Sequence, residues 1–216
     1  MDMLKSIGSN LLKPKTSLSL PLEYKNLKID HDRITYNGNN YTYDQVEGIK
    51  FTGLSHSFNF VPMGKNQQLT IYADGASLFV HSSGTVVSGR KSNRTVMLMY
   101  QIVAHLSFKY RLARYAESLI TDNSFLYPHV STGKNRQVRF HSDGHIEKKG
   151  VRLDLKDVLA NDRMQIGTYG YRSRFPNLVT VYDKGLFSKS ISFDINTDPD
   201  CFYQFVETFK KKGTFF

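Results

Sequence analysis

The chain has 216 residues, with 29 Lys and Arg against 19 Asp and Glu, for a net charge of +10. With 40% hydrophobic residues and only 15 Gly, it is neither disordered throughout nor collagen-like nor a coiled coil, and its length suits one large domain or two small ones. Its single Cys, Cys201, excludes an intrachain disulfide framework, and no apolar run reaches the 18 or so residues of a membrane-spanning helix.

Residues 1–21 form a polar-interrupted tail. Asp2, Lys5, Ser6, Gly8, Ser9 and Asn10 break up the apolar residues, which is unlike a secretory leader and points to a cytoplasmic protein. Met3, Leu4, Ile7, Leu11 and Leu12 fall near one helical face, as in a membrane-surface or docking helix or in a tail packed on its own domain. Pro14 ends any such helix.

Leu22 to Ile29 is expected as an opening strand, and Ile34 to Tyr43 as a hairpin turning at Asn37-Gly38-Asn39-Asn40, where Asn-Gly favours positive backbone φ. A lengthened connection over 53–65 precedes the next strand. Its Phe58 and Phe60 alternate, so that they would share one strand face and form a candidate protein-docking surface. Leu69 to Tyr72 alternates as a strand and turns at Ala73-Asp74-Gly75 into 77–80. A helix follows over 92–120, with Asn93 as N-cap and Leu98, Ile102, Leu106, Tyr110 and Ala113 as its apolar stripe. Arg90, Lys91, Arg94, Lys109, Arg111 and Arg114 cluster before and along it, on faces expected to be solvated.

Residues 121–136 are polar and turn-rich and are expected as a linker. A strand over 137–140 then opens the second half, followed by a hairpin turning at Lys148-Lys149-Gly150. Tyr169, Tyr171, Arg172 and Arg174 interleave aromatic and basic groups, as for stacking and phosphate contact with a nucleic acid or for an acidic partner. Val179 to Tyr182 and 187–193 make a further strand pair. The chain ends in a helix begun by Asp198 as N-cap and Pro199, with a Phe202, Phe205, Val206 and Phe209 stripe and Lys210, Lys211 and Lys212 at the negative end of its dipole.

These halves repeat. At a shift of 112, Ile34, Gly38 and Val46 meet Ile146, Gly150 and Val158, while Tyr41 and Tyr43 meet Leu153 and Leu155. At a shift of 110, Thr70, Tyr72 and Gly75 meet Thr180, Tyr182 and Gly185. Two copies of short antiparallel strands closed by one helix are thus expected, a mainly β, α+β chain.

This order, with the spaced pattern Ile34, Gly38, Tyr41, Tyr43, Val46 and its counterpart from Ile146 to Val158, resembles the pleckstrin-homology superfold, in its bacterial PH-like and GRAM-like form. The resemblance implies two tandem PH-like units, each a curved antiparallel sheet or partly open barrel closed by a C-terminal helix. Their expected ranges are 22–120 and 137–216. It further implies a binding module that engages a protein partner or an anionic lipid surface, with no cofactor. The family's phosphoinositide-binding members carry Lys and Arg between the first two strands. Here those turns are Asp30-His31-Asp32-Arg33 and Ser142-Asp143-Gly144-His145, which speak against headgroup recognition.

Nothing in the sequence matches a nucleotide-binding, nucleophile-elbow or zincin motif. His141 and His145 have metal-ligand spacing only on a helix, and Ser142-Asp143-Gly144 should turn instead, so no metal and no catalytic residue is expected. Cys201 is expected as a packed, inert thiol. The leading expectation is a non-enzymatic adaptor at the cytoplasmic side or a membrane periphery. Alternatives are a nucleic-acid-binding protein using the basic and aromatic groups, and an enzyme with a pocket between the copies.

Overall fold

The computed structural model describes residues 20–58, 61–85, 90–130, 137–170, 173–184 and 189–216. The N-terminal tail, Phe60, Tyr171 and Arg172 lie outside them. The chain divides into two units, Met1–Arg111 and Leu112–Phe216. It is an α+β chain, mainly β, with four antiparallel sheets.

Unit 1 opens on a four-stranded meander: β1 (Leu22–Tyr24), β2 (Leu27–Ile29), β3 (Arg33–Tyr36) and β4 (Asn39–Thr42). The expected single opening strand is a hairpin instead, turned at Lys25, whose φ is 55°. Asn37 and Gly38 both take positive φ and close a two-residue loop, as the Asn-Gly pair favours. A short 3-10 turn, Tyr43–Gln45, is held by the Thr42 amide donating to Gln45 Oε1 at 2.9 Å. It leads into a three-stranded meander of β5 (Val46–Phe58), β6 (Val61–Ala73) and β7 (Ala76–Thr85). The expected connection over 53–65 is therefore, in its described residues, the paired end of β5 and β6, in register from Gly53 opposite Gln67 to His56 opposite Gly64 and, after a bulge that skips Met63, from Ser57 opposite Pro62 to Phe58 opposite Val61.

Helix α1 (Arg90–Asp122) begins earlier than expected, and Asn93 does not cap it. Asn93 is buried in the first turns and accepts the Ser82 hydroxyl at 2.6 Å. The buried line of α1 is also rotated from the expected stripe. It runs through Val96, Met99, Val103, Ser107, Arg111 and Tyr115; of the expected stripe Ile102 is buried, Leu98, Leu106 and Tyr110 are half-buried and Ala113 is exposed. Polar residues within that line hid it from a purely apolar reading. Leu27, Ile29, Ile34, Val46, Ile49, Leu69, Ile71, Leu78 and Val80 pack with Val96 and Val103 in an almost wholly aliphatic core.

Unit 2 repeats the order. The segment expected as a linker still belongs to α1 through Asp122 and then forms β8 (Ser124–Tyr127). β9 (Val138–His141), β10 (His145–Lys148) and β11 (Val151–Asp154) complete a four-stranded meander. Lys149 and Gly150 turn it with positive φ, at the positions equivalent to Asn37 and Gly38. Asp154 accepts the Lys156 amide at 2.8 Å and so caps α2 (Leu155–Ala160), where unit 1 has its 3-10 turn. The next meander is β12 (Met164–Gly170), β13 (Ser173–Tyr182) and β14 (Ser190–Asp194), and α3 (Pro199–Lys212) closes the unit.

The equivalence extends to energetics. Ile34 and Ile146, Val46 and Val158, Leu69 and Val179, and Ile71 and Val181 are all buried. Tyr36 donates its hydroxyl to the Phe79 carbonyl at 3.3 Å, and Lys148, 112 residues later, donates Nζ to the Ser192 carbonyl at 2.5 Å. Each bond ties the third strand of the first meander to the last strand of the second. The cores differ in chemistry, because unit 2 is filled with rings. Phe125 lies 4.9 Å from Phe205 and stacks on Phe140 at 5.1 Å, with Tyr115 5.0 Å from Phe205. Such pairs add about 0.5–1.5 kcal/mol each beyond the area they bury. Phe202, Phe205, Val206 and Phe209 of α3 are buried, as their spacing required. Pro199 opens α3 as expected, but Asp198 makes no side-chain cap, and its own φ is 52°. No helix among the described residues is long and apolar enough to cross a membrane.

Candidate functional site

The basic residues of α1 separate into two kinds. Lys91, Arg94 and Lys109 are exposed, and none pairs with a carboxylate among the described residues. Lys109 lies over the Tyr110 ring at 4.6 Å. From Arg90 to Ala116 the helix carries no acidic residue, and none lies in its first turn. Arg90 and Lys91 in the first turn, and more weakly Arg94 just beyond it, oppose the positive end of the helix dipole, a cost of up to about 0.3–1 kcal/mol each. Arg114 is half-buried.

Arg111, expected on the solvated face, is buried, with 1% exposure. Its Nε donates to Ser107 Oγ at 3.0 Å and its Nη2 to the Ala104 carbonyl at 2.9 Å, while Ser107 donates back to the Val103 carbonyl at 2.6 Å. Burial without such bonds would be prohibitive for a guanidinium, so Arg111 is part of the scaffold. Phe58 ends β5, Arg90 begins α1, Tyr169 lies in β12 and Arg174 in β13, opposite each other in register.

A groove of about 310 Å³ opens in unit 2 over Leu153 and Val158, walled by His145, Arg152, Asp154, Asp157 and Asp183. The floor is apolar and the walls are charged. Asp157 Oδ2 accepts Arg163 Nη1 at 3.0 Å, and Asp154 serves as the α2 cap. Behind the wall, Asp143 pairs with Arg152, and His145 Nδ1 lies 3.0 Å from Asp143 Oδ1, off the line of a hydrogen bond. Slight desolvation acts to raise Asp143, but the His145 backbone and ring together with Arg152 hold its carboxyl below the usual range. The His141–His145 pair does not converge: His141 Nε2 instead meets Glu147 Oε2 at 2.9 Å, and Gly144 turns the chain between them with φ of 86°. Among the described residues no three His, Cys, Asp and Glu side chains are grouped to hold a metal ion.

The interior of unit 2 holds a polar chain that spacing did not reveal. Tyr115 donates its hydroxyl to Asp198 Oδ2 at 3.0 Å and accepts the His129 amide at 2.9 Å. Tyr127 donates toward the Thr197 and Asp198 carbonyls at 2.7 and 3.2 Å. Burial first, and nearby Asp198 second, push both phenols well above their ordinary pKa. Cys201 is buried beside this network, with its amide bonded to Asp200 Oδ1 at 3.0 Å. These groups are enclosed and hold α3 in place. The only sequence signal for them was the Asp-x-Asp at 198–200, which also has an ordinary capping explanation.

No family model matches this chain, and no curated protein or solved structure does so either.

Proposed function

We propose that the protein is a non-enzymatic adaptor made of two pleckstrin-homology-like units that binds a protein partner or an anionic membrane surface. The observation that carries this reading is the doubled element order. Each unit runs through a four-strand meander, a short helical turn, a three-strand meander and a helix, with equivalent turns and equivalent strand-to-strand ties. A duplicated scaffold of that kind presents two comparable faces, which suits bivalent engagement. Affinity capture, followed by titration of the purified partner, tests the protein-binding form; flotation with neutral and anionic vesicles tests the lipid form. Failure of both overturns the reading.

A second reading, nucleic-acid binding, is favoured by Lys91, Arg94 and Lys109, which pair with no carboxylate among the described residues, on a helix stretch without acids. Labelled single-stranded and double-stranded oligonucleotides titrated across salt concentrations decide it. Binding that weakens with salt, with a slope reduced by about 1 for each of these residues replaced by Ala, supports it. Absence of binding at low salt rejects it.

A further inference from the structure

The β5–β6–β7 sheet buries one face and turns the other to solvent. Ile49, Leu69, Ile71, Leu78 and Val80 point inward, so the residues that alternate with them point outward. Lys50, Thr70 and Phe79 form one outward row, with Gln68 and His81 in the next row and Tyr72 on the other side. Phe79 is 46% exposed, and its ring meets no other ring among the described residues. The three strands contain a single acid, Glu47, which falls at the bulge where β5 begins. An ammonium lies on either side of the Phe79 ring. Lys50 is two strands away, about 9–10 Å across the sheet. Lys25 donates Nζ to the His81 carbonyl at 2.5 Å, beyond the free edge of β7. Neither pairs with a carboxylate among the described residues.

Unit 2 shows what the scaffold itself requires here. Tyr36 ties to the Phe79 carbonyl as Lys148 ties to that of Ser192, so Ser192 stands in the place of Phe79. The row there is Gln165, Thr180 and Ser192, and Asp194 takes the place of His81. Ser192 is exposed. The fold therefore needs neither a ring nor a cation at these positions. A single ring rimmed by a hydroxyl, a carboxamide and an imidazole is unlike a protein hot spot, whose anchor fills a desolvated pocket. It suits a nucleobase, which stacks on one flat face while Thr70 and Gln68 meet its edge groups. The flanking ammonium groups suit the phosphates on either side of that base. A duplex keeps its base faces inside the stack, so only a single strand can use such a ring.

We propose that the outer face of the β5–β6–β7 sheet binds single-stranded nucleic acid, with a base stacked on Phe79 and with Lys25 and Lys50 at the phosphates. This deepens the nucleic-acid reading above and rests on it, but it assigns the contact to the sheet and not to α1.

The test is a fluorescence-anisotropy titration of the whole chain with labelled oligouridine and oligothymidine, and with a duplex of equal length, across salt concentrations. A single strand of either kind is expected to bind at low salt. Phe79→Ser, which copies Ser192, and Phe79→Leu, which keeps an apolar side chain without a flat ring, should each weaken that binding at least about fivefold and leave its salt slope unchanged. Phe79→Tyr keeps the ring and should bind as the unaltered chain does, which separates loss of stacking from loss of folding. Lys50→Gln should lower the salt slope by about 0.7. Full binding by Phe79→Leu, or binding confined to the duplex, overturns the proposal. The nucleic-acid reading survives either result if Lys91→Ala, Arg94→Ala or Lys109→Ala weakens binding instead. Absence of all oligonucleotide binding at low salt rejects both.

Discussion

Replacing Gly144 by Ala tests how tightly α3 seals unit 2. Gly144 has φ of +86°, and a Cβ there would stand 2.8 Å from Phe209 Cζ and 3.2 Å from Cε2. Phe209 is 5% exposed and packs on Phe215 with ring centroids 4.8 Å apart, so it has little room to yield. Two terms add: about 1–2 kcal/mol for an L side chain in the left-handed region, and about 1–3 kcal/mol for overpacking. Gly150, in the same unit, separates them. Its φ is +76°, but a Cβ there meets nothing within 4 Å, so Gly150→Ala should show the backbone term alone. With a urea slope of about 2 kcal/mol/M, Gly144→Ala is expected to lower the midpoint by about 1–2.5 M and Gly150→Ala by about 0.5–1 M. The chain has no Trp, so far-ultraviolet circular dichroism follows the transition. Equal losses in the two variants would refute the contact with Phe209. Combining Gly144→Ala with Phe209→Leu should recover part of the larger loss.

Tyr127→Phe removes the donor to the Thr197 and Asp198 carbonyls and should cost about 1–3 kcal/mol in denaturant unfolding, because those acceptors are enclosed. Tyr115 and Tyr127 are pushed well above the ordinary phenol value, so above about pH 10 the unfolded chain loses protons that the native chain keeps. Their contribution is therefore fully present below that pH and is lost as pH rises further; urea midpoints measured upward from neutrality should fall, less steeply in Tyr127→Phe. Arg111→Met should lower stability by about 2 kcal/mol, because the Ala104 carbonyl and Ser107 hydroxyl lose their buried donor. Lys91→Ala and Arg94→Ala should change it by no more than about 0.5 kcal/mol, with any change towards greater stability, since both charges oppose the helix dipole. Thermal or urea unfolding of the three variants checks this contrast.

Local chemistry carried much of the architecture. Asn37-Gly38 and Lys149-Gly150 turn where their dihedral needs placed them, because a two-residue hairpin loop needs positive φ at both positions. The α3 stripe is buried as its spacing required, since four large apolar groups on one face have few other places to go. The 112-residue repeat falls on equivalent strands, as the buried Ile34 and Ile146 show. The line of α1 was misplaced by one residue along the helix, because Ser107 and Arg111 occupy the inward face and hydrophobicity alone passes over them. Within the polar, turn-rich segment expected as a linker, Ser124–Tyr127 becomes a strand only by pairing with β9, while 131–136 lie outside the described residues.

Pattern and turn chemistry thus determined by themselves that the chain is mainly β, α+β, doubled, and closed by an aromatic-faced helix. Those features depend on neighbours a few residues away. Only the tertiary structure decided which charges are surface and which are scaffold, since burial is a property of distant packing. It took Arg111 out of the candidate binding face and left Lys91, Arg94 and Lys109 there. It also brought together Gly53, Gln67 and Ser82, unremarkable apart in the sequence, into one row whose central side-chain oxygen has no hydrogen-bond partner among the described residues.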